Sequence, residues 1–511
     1  MRKRLWFMHG GLMLVIALAL ALAPVSAFGG TAESGFWTDQ PPMLTPIGSQ
    51  VNVQPLLTVG DTLPDGFRFE SLPDGIAIDP RGTNTYDVYV NHETSTVPFR
   101  NAADFDNAML SKLVLKNGNG KVLSGELVIP SSANYLRFCS NFFAGEAEGF
   151  DRPLVFTNEE TNDLINRTGI AWPPGPDAEQ AGLVVAYDPA LNAYQSIYGM
   201  GRHNHENSVA VPGYGYPVVL SGDDTFNAPS SQLYLYTAAD ADAVWNDEGH
   251  LFAFVSSDPA VNDYGDLPPG SSVSGSFMMV PDAVARGDQN GLESWSNDNN
   301  VFQFIRVEDL AYDKNTPNVV YFADTGEPRA IPDPATGRLQ RGPSGTQGPF
   351  PNGRIFKMVL DPSDPLVVTS LEVLIDGDAL GAASAGVLSL IHNPDNIETT
   401  PWSLMIQEDP GGQNSYAADD PNGTTARIWR YDLSTGELSV VAKVDQSADP
   451  AASQGDWEST GIVDASALFG RGAFLVNIQA HTLLIATQPS GSNYIFKREG
   501  GQMLLLRVPG G

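Results

Sequence analysis

Residues 138–160 read FCSNFFAGEAEGFDRPLVFTNEE. The apolar run Leu154–Phe156 stops on Glu159 and Glu160, and Cys139, the only cysteine of the chain, stands upstream. Adjacent carboxylates closing an apolar strand are costly unless water or a cation compensates them. A single thiol forms no internal disulfide, so Cys139 is a small buried hydrophobe, a ligand or a nucleophile.

The same ending recurs along the chain. DVYVNHE closes at Glu93, PVVLSGDD at Asp224, NVVYFADTGE passes through Asp324, SLMIQED closes at Asp409, and AFLVNIQAH passes through Gln479. Counting from Glu93 through Glu160, these ends lie 67, 64, 100, 85 and 70 residues apart. A second phrase with an acid near its start accompanies them: PDGIAID from Pro73, HENSVAV from His205, VEDLAYD from Val307, PDNIETT from Pro394 and ESTGIVD from Glu458. Alternating runs such as SKLVLKNG from Ser111 and GLVVAYDP from Gly182 read as half-buried antiparallel strands. Repeats of this length, each with several antiparallel strands, predict an all-β, six-bladed β-propeller. A pair of packed sandwich domains is the competing architecture.

Residues 28–60 are polar and without period, and read as a leading arm; 61–511 read as one propeller domain. The wider gaps place insertions at about 238–300, with a short helix near Pro281–Arg286, and at 327–352. Arg2–Arg4, the apolar run Leu12–Ala23 and Val25-Ser26-Ala27 form a signal-peptide pattern over 1–27. It predicts an exported protein, periplasmic or extracellular, with no membrane association after cleavage.

With 28 Lys plus Arg against 60 Asp plus Glu, the chain carries a formal charge of -32. That field disfavours nucleic acid as a partner. In a propeller, equivalent positions of every blade converge on one channel mouth. Glu93, Glu159, Glu160, Asp223, Asp224, Asp324, Glu408 and Asp409 are expected there, joined by Glu206, Glu308, Asp309, Asp395 and Glu458. So many carboxylates repel unless cations neutralise them, and flexible oxygen-rich sites favour calcium. A thiolate from Cys139 in that ring favours a transition metal beside it. Arg306, two residues before Glu308, suits an oxyanion. His92 and His205 each precede a glutamate, so strand alternation turns the histidines away if the glutamates face the site.

In order, VNHE, a cysteine before a strand ending in Glu-Glu, Gly-Arg-x-x-His-Glu, SGDD, Arg-x-Glu-Asp, Pro-Asp-Asn and VNIQ resemble the PhoX family of alkaline phosphatases over about residues 65–482. The resemblance implies an exported six-bladed propeller that hydrolyses phosphate monoesters with calcium and iron. It implies Cys139 as an iron bridge, and Glu93, Glu206 and Glu308 as iron or calcium ligands. Glu159 and Glu160 match the family's paired acids, Asp395 and Glu458 read as calcium ligands, and Arg306 as the substrate-phosphate arginine. Two departures stand out: NFFAGEAEGFDRP after Cys139, and Gln479-Ala480-His481-Thr482 where the family has Gln-His-Pro-Gly. A calcium-stabilised binding propeller without catalysis, or a hydrolase of phosphodiesters, phytate-like esters or lactones, are the alternative expectations.

Overall fold

The computed structural model describes residues 35–225, 228–409, 423–491 and 493–511. Its strands form six blades in chain order. Blade one runs from the inner strand Pro73–Ile78 through Thr85–His92 and Met109–Lys116 to Val122–Ile129. Blade two runs from Phe138–Ala144 through Leu154–Glu159 and Val184–Asp188 to Ala193–Ile197. The remaining inner strands are His205–Ala210, Val307–Tyr312, Pro394–Thr399 and Glu458–Asp464. Each inner strand packs against the inner strand of the next blade, and Glu458–Asp464 packs back on Pro73–Ile78, so the ring closes. Pairing along the four strands of each blade is antiparallel, as the repeated strand–turn pattern requires, and the short strand Ala102–Asp104 joins Ile495–Arg507 of blade six in parallel.

The inner strands are buried on both faces, as in His205–Ala210, whereas Met109–Lys116 alternates buried and half-buried residues toward the rim. Apolar side chains of adjacent blades fill the space between them. Between blades three and four, Leu220, Leu235 and Phe254 meet Phe304, Phe322 and Phe356. Phe322 and Phe356 stack there with ring centroids 5.1 Å apart. Each fully buried side chain of this size contributes roughly 1.5–3 kcal/mol.

Residues expected to form an arm instead carry two strands. Leu44–Pro46 extends blade five by pairing with Leu438–Val444, and Asn52–Thr58 is the outermost strand of blade six, paired with Ile495–Arg507. No alternation marked them because Asn52–Thr58 is mostly half-buried and carries Pro55 at a register shift. The gap at 238–300 is only partly insertion: His250–Ser256 is the outer strand of blade three, and Ser272–Met279 bridges it to Asp364–Asp376 of blade four. The expected helix is present as Asp282–Ala285, followed by a longer one, Gln289–Asp298. Within 327–352, Ala330–Pro332 and Leu339–Arg341 pair as a hairpin. The signal-peptide pattern at 1–27 lies outside the described residues, among which no helix is long and apolar enough to cross a membrane.

Candidate metal centre

One repeated irregularity sets the inner-strand members of the ring in blades one to five. In blades one to five, pairing between the first two strands shifts register just after the first residue of the inner strand: between Pro73 and Ile76, Phe138 and Asn141, His205 and Ser208, Val307 and Leu310, and Pro394 and Ile397. A β-bulge frees the extra residue from the ladder and re-aims it. The second residue of these strands is Asp74, Cys139, Glu206, Glu308 or Asp395, and all stand together at the channel mouth.

Ligand atoms of Cys139, Glu160 and Glu206 lie within 4.8 Å of one another, as do those of Glu160, Asp224 and Glu308, of Glu206, Glu308 and Asp395, and of Asp395, Asp409 and Glu458. Shared members make these sets one continuous arc. Asp74 extends it, taking a hydrogen bond from Cys139 Sγ at 3.5 Å and from Gln479 Nε2 at 2.9 Å. The same Gln479 nitrogen donates to Glu93 Oε2 at 2.9 Å. Ser140 Oγ donates to Glu206 at 2.8 Å.

Burial, with mutual repulsion, raises the proton affinity of the cluster. Glu206 and Glu458 are each pushed up to about 8 by burial. Asp74, Glu160, Glu308, Asp395 and the Cys139 thiol all move upward for the same first cause, reinforced by neighbouring carboxylates. Asp224 alone moves down: burial works against its charge, but the Arg306 guanidinium outweighs it. Arg306 holds Asp224 through Nε and Nη2, lies 3.5 Å from Glu308, and is 14% exposed on its side chain. Nη1 has no hydrogen-bond partner among the described residues. His481 sits between Glu499 at 2.7 Å and Glu458 at 3.1 Å. Burial disfavours its charge, yet the two carboxylates push its pKa well up.

Several expected members face elsewhere. Glu159 is committed to Arg167, at 2.7 and 2.8 Å, and to the backbone N–H of Leu136 and Leu183. It pins the loop that enters its own blade. Asp324 does the same for the N–H groups of Ile305 and Arg306, and Glu408 for His392 N–H and Arg427. Asp223 turns toward His203, 3.8 Å away. Asp309 lies one layer deeper: it accepts from Ile397 N–H at 3.0 Å and from Asn207, stitching blades three, four and five together. His92 and His205 do turn away, onto Ser111 and Ser221. Asp74 is the acid that sequence reasoning passed over, although it occupies the same place in PDGIAID as Glu206 in HENSVAV.

A cavity of about 630 Å³ lies at the other end of the channel. Its walls include Phe142, Phe143, Glu148, Tyr312, Lys314 and Asp464. Their polar groups satisfy one another: Tyr312 donates to Glu148 at 2.9 Å, and Lys314 lies 3.4 Å from Glu398. The unfamiliar segment after Cys139 therefore lines this far end, away from the acid arc.

The residues present suit metal ions. The arc is dominated by carboxylate oxygens, as calcium requires, and the one thiol stands at one end beside Glu160 and Glu206, where a softer ion fits. Asp395 Oδ1 is buried without a hydrogen-bond partner among the described residues, an expensive state that a cation relieves.

Fold and site together define a β-propeller with an acid-lined mouth. No protein-family model matches the chain, and no curated protein does. Among solved structures it is similar to Pseudomonas fluorescens PhoX in complex with vanadate, a transition state analogue, with a TM-score of 0.64 at 14% identity over 94% of this chain and 98% of that one. The NanB sialidase of Streptococcus pneumoniae matches at a TM-score of 0.39 and 6% identity, over 86% of this chain and 69% of that one.

Proposed function

We propose that this chain is an exported metal-dependent hydrolase of phosphate monoesters. The observation that carries the reading is Arg306: a guanidinium anchored by Asp224 inside an arc of carboxylates that also holds a thiol. A cation so placed fits an anionic substrate better than a purely structural calcium site. Likeness in fold to a PhoX that holds a transition-state analogue supports the choice of phosphate among oxyanions.

Glu206, Glu308, Asp395, Asp409 and Glu458 would hold calcium, and Cys139 with Glu160 and Glu206 would hold iron. When bound, such ions supply Lewis-acid polarisation and an activated water. The chain's own contribution is positional. Asp224 fixes two nitrogens of Arg306, which leaves Nη1 to bind a phosphate oxygen without losing side-chain entropy at that moment. Gln479 orients Asp74 and Glu93 at once, and Ser140 orients Glu206.

The test is hydrolysis of p-nitrophenyl phosphate at alkaline pH after reconstitution with calcium and iron, alongside elemental analysis. Turnover that falls in both Arg306→Ala and Cys139→Ala supports the reading, and equal turnover in wild type and both variants would sink it. Bound calcium without iron and without turnover identifies a binding propeller instead.

A further inference from the structure

Beside the acid arc lies a second, smaller cavity of about 270 Å³, walled by Phe105, Ile170, Trp172 and Phe496 together with Asn107 and Asn134. Thr96, in its wall, follows Glu93 by three residues, no more than about 10 Å of extended chain. Asn134 leads into Arg137, whose carbonyl accepts Glu160 N–H at 2.9 Å, and on to Cys139.

The cavity is built and held rigid. Asn166 ties the loop that presents Ile170 and Trp172, donating to Ile170 O at 2.9 Å and Pro173 O at 3.0 Å. Asn134 ties the same loop through Asn166 O and Gly169 O. Ile170 is thereby fixed at 81% exposure, and Ile495 and Phe99 nearby at 52% and 63%. Trp172 leans edge-on against Tyr494, with centroids 5.6 Å apart, so its position is set by packing. Fixing an isoleucine in water gains nothing for the fold.

The polar walls are already satisfied. Asn107 donates to Asn134, the Asn134 amide is spent on the loop, and Asp106 is paired with Arg498. With no spare charge and aromatic sides, the space suits a flat neutral ring held by stacking. Its volume is just below the usual range for a whole organic ligand, so it fits part of one.

We infer that this cavity is the subsite for the leaving group, and that the preferred substrates are phosphate monoesters whose alcohol ends in a flat aromatic ring, such as a nucleoside. This rests on the phosphatase reading above. Adenosine 5′-phosphate and ribose 5-phosphate share the same primary ester and differ in the ring alone. The reconstituted protein should show kcat/KM at least fivefold higher for the nucleotide. Trp172→Ala and Ile170→Ala should bring that ratio near one by lowering kcat/KM for the nucleotide; Ile170, being exposed, can be altered without risk to folding. Calorimetry with adenosine alone separates the two ideas. Adenosine binding that Trp172→Ala abolishes, in a protein that cleaves no phosphate ester, keeps the subsite and removes the phosphatase. Turnover with equal kcat/KM for both esters overturns the subsite. So does a wild-type dimer that Ile170→Asp converts to monomer, since a second copy would then cover the patch.

Discussion

Glu159 and Glu160 are neighbours in the chain with opposite surroundings: Glu159 is neutralised by Arg167 inside blade two, and Glu160, between Cys139 and Asp224, makes no ion pair among the described residues. Their substitutions should therefore diverge. Glu159→Gln removes one of the two carboxylates that hold Arg167 and leaves Glu179 as the other, so a loss of about 1.5–3 kcal/mol is expected, read as a lower midpoint in urea. Glu160→Gln removes repulsion from the metal-free protein, which should melt no lower than wild type, while metal content by elemental analysis falls.

Calcium and iron removal should lower the melting temperature. A site filled at about 100 times its Kd contributes about 2.7 kcal/mol of stability. Calorimetry before and after chelation, with calcium added back, checks this; a midpoint indifferent to calcium would leave the arc without its ion.

Arg306→Ala should cost about 10²–10³ in kcat/KM toward a phosphate monoester, the usual range for one lost donor to a developing oxyanion. Arg306→Lys should not restore it. An ammonium cannot span the two contacts to Asp224 and still present a third nitrogen.

Away from the metal centre, Asp378 gives a clean pH dependence. Burial raises its carboxyl to about 7, although Tyr264 Oη and Asn352 N–H donate to it. Between the unfolded value near 3.8 and 7, the folded protein keeps a proton that the unfolded chain has lost. Stability from this group is therefore complete below about 4 and is lost as the pH rises to about 7, on the order of 4 kcal/mol. Urea midpoints from pH 4 to 8 should fall less steeply in Asp378→Asn than in wild type.

The blades were legible because each strand-end phrase repeats a spacing, and a propeller turns spacing into position. Acids at the mouth were legible for the same reason. Which acid of a pair faces the channel was not. Alternation says that Glu308 and Asp309 oppose each other, yet the bulge sends one to the arc and the other to the layer beneath, against Asn207 and Ile397. Glu159, Asp324 and Glu408 look like ligands in sequence because nothing local shows that the entering loop needs its N–H groups capped. Asp74 was hidden by ordinariness: Pro-Asp-Gly reads as a turn. Trp172 and Ile170 carried no signal at all, since a wall assembled from five separate segments has no sequence period.

The outermost strand of blade six, Asn52–Thr58, is synthesised ahead of every inner strand, and its partner comes last. Its partner Ile495–Arg507 follows it by more than 400 residues, so until that strand is made the ring stands open beside an unmated edge. Glu458 and His481, which complete one end of the arc, arrive in that same final blade. A complete arc thus reports that synthesis has passed Glu458: a chain cut short of it keeps the thiol end of the arc but lacks the opposite end, and offers a free strand edge to proteases and chaperones.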